Sequence, residues 1–309
     1  MTSEQARSPI RFGCLGEVML ELVFGDGGQA SIGVAGDTYN TAVYLARDAR
    51  IAQVDYVTGL GTDVASERIR AHMQAEGIGH ARIFSHPTRV AGLYAIETDA
   101  MGERSFTYWR SEAAARCLGD PGMPEISNLI SGLDYVFLSG ISLAILRQSN
   151  RDRLFDALAA FRLKGGVVAF DSNYRPRLWN DPELARRETE RAWLACDIAL
   201  PSLDDEMALF GEASEAETRK RFEDYGLTCG ALKRGAQGPV GLDGSLISGP
   251  IKPVHVVDTT AAGDSFNASF LAEIACGGSV AEAMQAGHAL ASRVIGHRGA
   301  IIDKEEASL

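Results

Sequence analysis

The chain has 309 residues, of which 46% are hydrophobic, and it carries a formal net charge of -11 at pH 7. This length allows a sizeable buried core in one large domain or one domain with an appendage, and the acidic balance excludes a broad basic surface for nucleic acid. The five cysteines are scattered and odd in number, and no apolar stretch approaches the ~20 residues of a membrane span, so a cytoplasmic protein without disulfides, zinc or a membrane partner is expected.

Strands and helices alternate along most of the chain. Short apolar runs predict strands at residues 10–15, 54–60, 135–138, 167–170, 197–200, 230–233 and 251–257. Periodic apolar residues predict helices at 35–47, 63–76, 151–163 and 265–276, and a last helix that begins with the capping box Ser279-x-x-Glu282. Such alternation predicts an α/β fold, a doubly wound and mainly parallel sheet with helices on both faces.

Two hairpins interrupt this alternation. Their strands are expected at 18–24 and 31–34, around the glycines at 25, 27 and 28, and at 89–98 and 103–110, around a turn at 99–102. Neither hairpin fits inside a parallel sheet, so we expect them to pair with each other as a small antiparallel β lid, inserted from about residues 18–34 and 88–112. Since no repeat or linker is visible, a single domain over residues 1–309 is expected.

A doubly wound sheet binds ligands at the carboxyl ends of its strands. Small or polar residues follow five predicted strands and are expected to form one wall of a cleft: Gly16-Glu17, Gly36-Asp37, Ser139-Gly140, Asp171-Ser172-Asn173 and residues 258–264. The dinucleotide fingerprint, the phosphate loop, the Gly-x-Ser-x-Gly elbow and a histidine metal spacing are all missing from the sequence. The sequence therefore disfavours the common dehydrogenase, P-loop and hydrolase classes of protein.

The most informative stretch is Asp-Thr-Thr-Ala-Ala-Gly-Asp at residues 258–264, between a predicted strand and a predicted helix. Small side chains let backbone N–H groups face outward, and a helix N-terminus favours negative charge. The stretch predicts either an anion-binding cradle beside a carboxylate or an ordinary helix cap. A second glycine turn, Lys-Arg-Gly-Ala-Gln-Gly at 233–238, either approaches a ligand or closes a plain hairpin.

These two stretches and Ala-Gly-Asp-Thr-Tyr-Asn at 35–40 resemble the PfkB (ribokinase-like) sugar kinases over nearly the whole chain. The resemblance implies a ribokinase-like fold, with ATP and Mg²⁺ as cofactors. It implies that Asp264 is the base that takes the proton from the sugar hydroxyl, and that the backbone of Ala261, Ala262 and Gly263 forms an anion hole for the transferring phosphoryl group. The residues implied on the ATP side are Asn173, Arg175, Lys233, Arg234, Gly235 and Gly238, with Ala261 and Gly263.

Two positions depart from the broad family pattern. Ala261 replaces the first glycine of Gly-Ala-Gly-Asp, and we expect its methyl group to be tolerated if φ stays negative. Ser202-x-x-Asp205 replaces the family's Asn-x-x-Glu, which organises Mg²⁺ through water. The resemblance then implies that Asp205 or Glu206 organises the metal.

Both departures and the lid segments resemble one branch of the family, the 2-keto-3-deoxygluconate kinases. The resembling segments are residues 36–40, 92–94, 97–99, 102–106, 108–110 and 171–176. The residues implied to contact the substrate are Gly36, Asp37, Asn40, Tyr94, Tyr108, Arg110, Arg175 and Asp264. A physical reason supports this branch, because Arg holds a carboxylate by a bidentate charge-assisted pair that a neutral hexose does not need.

The resulting hypothesis is ATP-dependent phosphorylation of 2-keto-3-deoxygluconate (2-dehydro-3-deoxy-D-gluconate) at its 6-hydroxyl, giving the 6-phosphate and ADP. Two alternatives stay open: a PfkB kinase for fructose or another sugar or sugar acid, and a non-catalytic sugar-acid or nucleotide sensor on the same fold. The exposed face of the lid predicts a homodimer through the lid.

Overall fold

The computed structural model of the chain describes residues 9–25, 29–98, 104–249, 251 and 254–307. The predicted turn at 99–102 and the glycines at 27 and 28 lie outside these ranges. Within them the strands are β1 Arg11–Leu15, β2 Met19–Phe24, β3 Ala30–Ala35, β4 Gln53–Leu60, β5 Ile83–Ser85, β6 Gly92–Thr98, β7 Arg104–Trp109, β8 Tyr135–Ser139, β9 Val167–Asp171, β10 Ile198–Ala199, β11 Ala231–Leu232 and β12 Val240–Gly241. The helices are α1 Asp37–Ala46, α2 Val64–Ala75, α3 Ile126–Leu129, α4 Gly140–Ala144, α5 Gln148–Leu163, α6 Pro182–Ala195, α7 Leu203–Phe210, α8 Glu215–Asp224, α9 Ala262–Ala275, α10 Val280–Val294 and α11 Lys304–Ala307.

Six parallel strands form the central sheet, in the order β10-β9-β8-β1-β4-β5. Neighbouring residues of β1 enter different cores: Phe12 and Cys14 pack into one buried cluster, and Leu15 packs into the other. Two apolar faces explain the continuous apolar runs in the sequence, since helices cover a parallel sheet on both sides. The predicted doubly wound α/β fold is confirmed.

The strand order reverses at β1. The chain first builds outward through β4 and β5 on one side, and then returns to place β8, β9 and β10 on the other side. The loops that follow β1 and β8 therefore diverge at the carboxyl edge of the sheet, which leaves a crevice between them. This topology fixes where a ligand can enter.

A second, four-stranded sheet forms the lid, in the order β3-β2-β6-β7. Both predicted hairpins are present and antiparallel, β2 with β3 and β6 with β7. They join side by side through a parallel pairing of β2 with β6, in which Met19 lies opposite Gly92. The inner face of the lid packs Met19, Tyr94 and Ile96 against Ala300 of the main body.

The predicted strand at 251–257 is wrong for the residues that the structure describes. Val254, Val256 and Val257 are exposed and belong to no strand. The backbone N–H groups of Val257 and Asp258 instead donate to the carbonyl of Ile295 at the end of α10, at 2.8 and 3.2 Å. β-branched residues favour extended backbone, but a strand also needs a neighbour with free backbone groups, which this segment lacks in the described part of the chain.

Helix α9 begins at Ala262 rather than at the predicted Ser265, so Gly263 and Asp264 lie inside its first turn. The capping box of α10 is confirmed, because the side chains of Ser279 and Glu282 bond reciprocally to each other's backbone N–H groups. None of the described helices is long and apolar enough to cross a membrane.

Candidate active site

A cavity of about 480 Å³ opens at the carboxyl edge of the central sheet, beneath the lid. The loops after β1 and β9 and the first turns of α1 and α9 form its floor, and lid strands β6 and β7 form its roof. Predicted site residues that line it are Gly36, Asp37, Asn40, Tyr94, Tyr108, Arg110, Asn173, Arg175, Asp205, Lys233, Ala261, Ala262, Gly263 and Asp264. Residues far apart in the sequence thus meet around one space.

A second cavity, of about 260 Å³, continues from the first on the other side of α9. Lys233 and Gly263 line both cavities. Arg234, Gly235 and Gly238 line the second cavity but not the first. Phe266, His288 and Ala291 supply its wall from α9 and α10. The two compartments therefore meet at the N-terminus of α9.

Asp264 is half-buried in the first turn of α9, and its carboxylate is held from α1. The side-chain N–H of Asn40 donates to its Oδ2 at 2.8 Å, and the Thr41 hydroxyl donates to its backbone carbonyl at 3.1 Å. Burial raises the pKa of Asp264 to about 8, and the nearby Asp37 carboxylate adds to this, while the Asn40 hydrogen bond opposes it. A carboxyl with this pKa can take a proton from an alcohol near neutral pH.

Ala261 adopts a left-handed conformation with φ 59° and ψ 17°, which contradicts the expectation of a negative φ. A non-glycine residue in this region costs about 1 kcal/mol. The turn needs it because the chain reverses sharply there, and the Ala262 N–H donates to the carbonyl of Thr259 at 3.2 Å. Ala261 therefore adopts a backbone conformation that favours glycine.

The first turn of α9 presents unpaired backbone donors to the junction of the two cavities. Within the described residues, the N–H groups of Gly263 and Asp264 have no hydrogen-bond partner, as expected at a helix start. The site lies beside a cation, since a Cβ added to Gly263 would stand 3.6 Å from the Lys233 Nζ. Of the predicted anion-hole residues, Gly263 offers its N–H, whereas the N–H of Ala262 is already used.

Lys233 is fixed by an acid and an amide from two other elements. Its Nζ lies 2.9 Å from Asp171 Oδ1 at the end of β9 and 3.2 Å from Asn267 Oδ1 on α9. Asn267 in turn donates to Asp171 Oδ2 at 2.6 Å. The sequence placed Asp171 in the cleft wall but gave it no role, although an acid at the end of a buried strand was a usable signal.

Asp37 is oriented by two donors from neighbouring strand ends. Its Oδ2 accepts hydrogen bonds from the Asn173 side chain at 2.7 Å and from the Ser139 hydroxyl. Both donors reach the same oxygen, so Oδ1 remains free to accept a hydrogen bond from a ligand hydroxyl. Ser139 was likewise part of the predicted cleft wall without a role of its own.

The roof of the cavity combines aromatic rings with one buried ion pair. Tyr94 and Tyr108 stack with ring centroids 5.7 Å apart, and the Tyr94 hydroxyl donates to the carboxylate of Glu21. Arg110 is buried and ion-paired with the carboxylate of Glu17, which lies in the loop after β1. Burial raises the pKa of Glu17, and the Arg110 guanidinium opposes that rise.

Arg175 and Asp205 form a looser pair on the opposite side. The Arg175 guanidinium donates to the Tyr174 carbonyl at 2.9 Å and lies 3.6 Å from Asp205 Oδ1. The Tyr174 N–H donates to Asp205 Oδ2 at 3.1 Å. Burial raises the pKa of Asp205, while Arg175 opposes the shift.

The structure separates the two metal candidates. Asp205 lines the first cavity, but Glu206 points elsewhere: it is buried and pairs with Arg221 at 2.8 Å. Burial raises the pKa of Glu206 to about 7. In the described ranges, no group of three or more His, Cys, Asp or Glu side chains is arranged to hold a metal ion.

A nucleotide-borne Mg²⁺ makes a smaller demand on the protein. It keeps several waters and needs only one or two protein carboxylates beside the phosphates. The carboxylate of Asp205 fits that requirement.

The glycine turn at 235–238 is braced by Arg234. Its Nε donates to the Gly238 carbonyl at 2.9 Å, and its Nη1 lies 3.2 Å from Glu215. Gly235 and Gly238 have φ angles of 55° and 73°, so both positions favour glycine. Arg234 therefore shapes the second cavity by holding its turn.

Three titratable cavity residues were not singled out from the sequence: Asp204, Arg177 and His288. Arg177 lies on a short 3₁₀ turn after β9, and the nearby Asn-Tyr-Arg stretch drew attention to Arg175 alone. Asp204 and His288 sit on helices with ordinary surface patterns. No signal in the sequence distinguishes them.

Comparison with known proteins agrees with this architecture. Residues 14–307 match the family described as pfkB family carbohydrate kinase. A 2-dehydro-3-deoxygluconokinase of Dickeya dadantii is 47% identical over 305 residues, covering 94% of this chain and 96% of the relative. The enzyme of that name from Escherichia coli K12 is 42% identical, with 94% and 96% covered. The solved 2-dehydro-3-deoxygluconokinase of Thermotoga maritima has the same fold, with a TM-score of 0.82 at 20% identity over 96% of this chain and 98% of that one.

Proposed function

This chain belongs to the pfkB family of carbohydrate kinases, and we propose that it transfers the terminal phosphoryl group of ATP to the 6-hydroxyl of 2-dehydro-3-deoxy-D-gluconate, giving the 6-phosphate and ADP. Relatives of that name share 47% and 42% of its residues over nearly its full length. The observation that carries the proposal is the position of Asp264, at a helix start where a sugar-sized cavity meets a second compartment.

In the proposed reaction Asp264 orients the 6-hydroxyl and takes its proton. Asn40 donates to one carboxylate oxygen and leaves the other to face the substrate. Because its pKa lies at about 8, this carboxyl holds a proton more readily than an ordinary aspartate does. A general base of this strength matches the task of deprotonating an alcohol as the new bond forms.

The transferring phosphoryl group would lie against the first turn of α9. Phosphoryl transfer depends mainly on positioning and on stabilising spread negative charge. The free N–H groups of Gly263 and Asp264 offer fixed donors there, together with the positive end of the helix dipole. Lys233, held by Asp171 and Asn267, adds a full positive charge beside them.

The nucleotide is proposed to occupy the second cavity. Gly235 and Gly238 let the backbone approach it, and Arg234 braces their turn. Asn173 and Arg175 line the first cavity and would contact the phosphates from the loop after β9. Asp205 would hold Mg²⁺ through water, and the metal would supply neutralisation of phosphate charge.

The sugar acid is proposed to lie in the first cavity. Gly36, Asp37 and Asn40 would contact its hydroxyl groups from the floor, and Tyr94, Tyr108, Arg110 and Arg175 would contact it from the roof and side. The stacked tyrosines give the roof an apolar surface that excludes water from the reacting groups.

We extend the proposal to a homodimer through the lid, in the cytoplasm. The outer face of the lid carries Phe24, Ile32 and Trp109, which are 48%, 43% and 55% exposed. Apolar side chains gathered on one face are typical of a subunit contact. All five cysteines are free, which supports a reducing compartment.

The proposed function is tested by coupled ADP release with ATP and Mg²⁺ across 2-keto-3-deoxy sugar acids and neutral sugars such as fructose. We expect 2-dehydro-3-deoxygluconate to give the highest kcat/KM, with phosphate on O6 of the product by NMR. A higher kcat/KM for fructose would assign the chain to a neutral-sugar kinase. Binding of the acid without ADP release would support a non-catalytic sensor.

A further inference from the structure

A buried ion pair lies outside both cavities, between helices α5 and α6. Arg151 of α5 and Glu188 of α6 are 5% and 1% exposed, and the Arg151 Nε stands 3.6 Å from the Glu188 Oε2. Gln148 bridges the two: its amide N–H donates to Glu188 at 3.1 Å, and its amide oxygen accepts from Arg151 at 2.9 Å. Neither charge is among the described residues that line the two cavities.

Net stability does not explain this pair. Taking two charges out of water costs free energy, which their attraction repays only when the geometry is excellent and the remaining polar atoms are hydrogen-bonded. Burial lowers the pKa of Arg151, and Glu188 opposes that shift. The Arg151 Nε and the Glu188 Oε2 are buried, and neither makes a hydrogen bond within the described part of the chain. The other contacts of Arg151 indicate what the buried charge does.

Arg151 holds the C-terminal end of α4. Its Nη1 donates to the carbonyls of Leu143 and Leu146, at 3.3 and 2.7 Å. Because α4 has only five residues, most of its carbonyls have no partner inside the helix, and a buried carbonyl needs a donor. At the other end of α4, the N-cap Ser139 donates its hydroxyl to Asp37 in the first cavity. One short helix thus connects Arg151 to an aspartate that is proposed to bind the sugar.

Arg151 also contacts the loop after β9. Its guanidinium carbon lies 5.4 Å from the centroid of the Trp179 ring, a cation–π contact that restrains both groups. Trp179 is buried and ends the 3₁₀ turn Pro176–Leu178, which follows Arg175. The loop that Trp179 closes carries Asn173 and Arg175, which line the first cavity.

The start of α4 and the loop after β9 are packed closely against each other. A Cβ added to Gly140, the first residue of α4, would stand 2.0 Å from the carbonyl oxygen of Ser172. The Asn173 side chain donates to Asp37 Oδ2 at 2.7 Å, beside the hydrogen bond from Ser139. A shift of either element would therefore displace the donors that orient Asp37.

We propose that Arg151 is a positioning residue of this kinase: it locks α4 and the loop after β9 in one arrangement, so that Asp37 meets the sugar in the correct orientation. Glu188 supplies the counter-charge that keeps the guanidinium in place. This inference rests on the proposed function, because Asp37 is the group through which Arg151 acts. It goes beyond that function by giving a role to a charge that lies outside both cavities.

The test removes the buried pair in Arg151→Met/Glu188→Gln, which leaves neither charge of the pair uncompensated. The matched control is Arg82→Met/Asp55→Asn. Arg82 and Asp55 form a second ion pair of low exposure, 2.8 Å apart, and Arg82 likewise donates to backbone carbonyls at the end of a short helix, α3. Asp55 lies near the amino end of β4, away from the edge of the sheet where the cavity opens.

Each protein is assayed by coupled ADP release with 2-dehydro-3-deoxygluconate, alone and combined with Asp37→Asn. For Arg151→Met/Glu188→Gln, kcat/KM should fall about 10- to 50-fold, because a misplacement of about 1 Å caused far from the reacting atoms can cost about 100-fold. In the Asp37→Asn background the same changes should cost less than about threefold, since groups that act through one another are not additive. The Arg82 control should change kcat/KM less than about threefold in both backgrounds.

Arg151→Lys is the conservative variant, and it carries the test if the double variant does not fold. It keeps a charge beside Glu188 but cannot serve the carbonyls, Gln148 and the Trp179 ring together. We expect it to lower kcat/KM about 3- to 10-fold where Asp37 is present and less than about twofold in the Asp37→Asn background.

An equal loss in the two Asp37 backgrounds would overturn the inference, since Arg151 would then support the protein in a general way. Normal kcat/KM in the Arg151 variants that fold would also overturn it, as would an equal loss in the Arg82 control. If the unaltered enzyme phosphorylates the acid, any of these results defeats this inference alone. If the unaltered enzyme phosphorylates no sugar acid, the proposed function fails, and this inference fails with it.

Discussion

Replacing Asp264 with Asn tests the proposed base through both activity and stability. The change removes the charge but keeps the size, and the Asn40 side chain can still donate to an amide oxygen in place of the carboxylate. Since the pKa of Asp264 is about 8, only about a tenth of the free enzyme has this group ionised at pH 7, and about a hundredth at pH 6. In the unaltered enzyme, kcat/KM should therefore rise about tenfold per pH unit up to pH 8 and then level off.

Asp264→Asn should lower kcat by about 10²- to 10⁴-fold and make the remaining rate independent of pH between 6 and 9. The measurement is a coupled ADP-release assay at fixed ionic strength, with product identified by NMR. Asp224→Asn is the matched control, since Asp224 is an exposed partner of Lys220 and does not line the cavity. An unaltered enzyme whose kcat/KM is flat from pH 6 to 9, or a variant with normal turnover, would refute the role of Asp264.

The same substitution should stabilise the protein, by an amount that depends on pH. The folded state holds a proton on Asp264 that the unfolded chain releases near pH 4, so the free energy of unfolding falls as pH rises from about 4 to about 8. Each pKa unit corresponds to about 1.4 kcal/mol, and solvent contact of this half-buried group reduces the total to about 1–3 kcal/mol. Asp264→Asn should escape this loss, so its melting temperature should exceed that of the unaltered protein by several degrees at pH 8 and by none at pH 4.

Three further substitutions test other features of the site and the lid. Ala261→Gly should raise the free energy of unfolding in urea by about 0.5–1 kcal/mol, because it relieves a left-handed alanine; a loss of stability would contradict the positive φ. Arg110→Ala should raise KM for the sugar acid and lower the free energy of unfolding by about 3–5 kcal/mol, since it leaves Glu17 charged and buried. Adding Glu17→Gln should restore most of that stability. An effect on KM for ATP alone would contradict the assignment of Arg110 to the substrate. Trp109→Glu should convert a dimer to monomers in sedimentation experiments at micromolar concentration, and an unchanged sedimentation coefficient would remove the lid from the interface.

The fold was predictable because its signals are local. Continuous apolar runs such as β8 and β9 indicate strands buried on both faces, and alternating polarity in β2 indicates a strand of the lid. The false strand at 251–257 has the same β-branched composition, yet its described residues find only the carbonyl of Ile295 as a partner. Composition predicts the preferred backbone shape, whereas strand pairing depends on neighbours that the local sequence does not encode.

The candidate site was predictable where a backbone constraint accompanies the chemistry. Gly235 and Gly238 adopt positive φ, and Asp264 follows small residues at a helix start, so both leave a recognisable pattern. Arg177 leaves no such pattern. It lies over the Tyr108 ring only because the lid sheet brings Tyr108 to it in the folded protein. At Ala261 the residue type misleads: an alanine favours a negative φ, and the turn enforces a positive one.

The charges around the first cavity are arranged differently at its two sides. Lys233, held by Asp171, stands beside the free N–H groups of α9, where the phosphoryl group is proposed to move. At the roof, the pairing of Glu17 with Arg110 cancels a charge that would otherwise attract any anion. The affinity of this cavity for an anion therefore depends on the acids that pair with its cations as well as on the cations themselves.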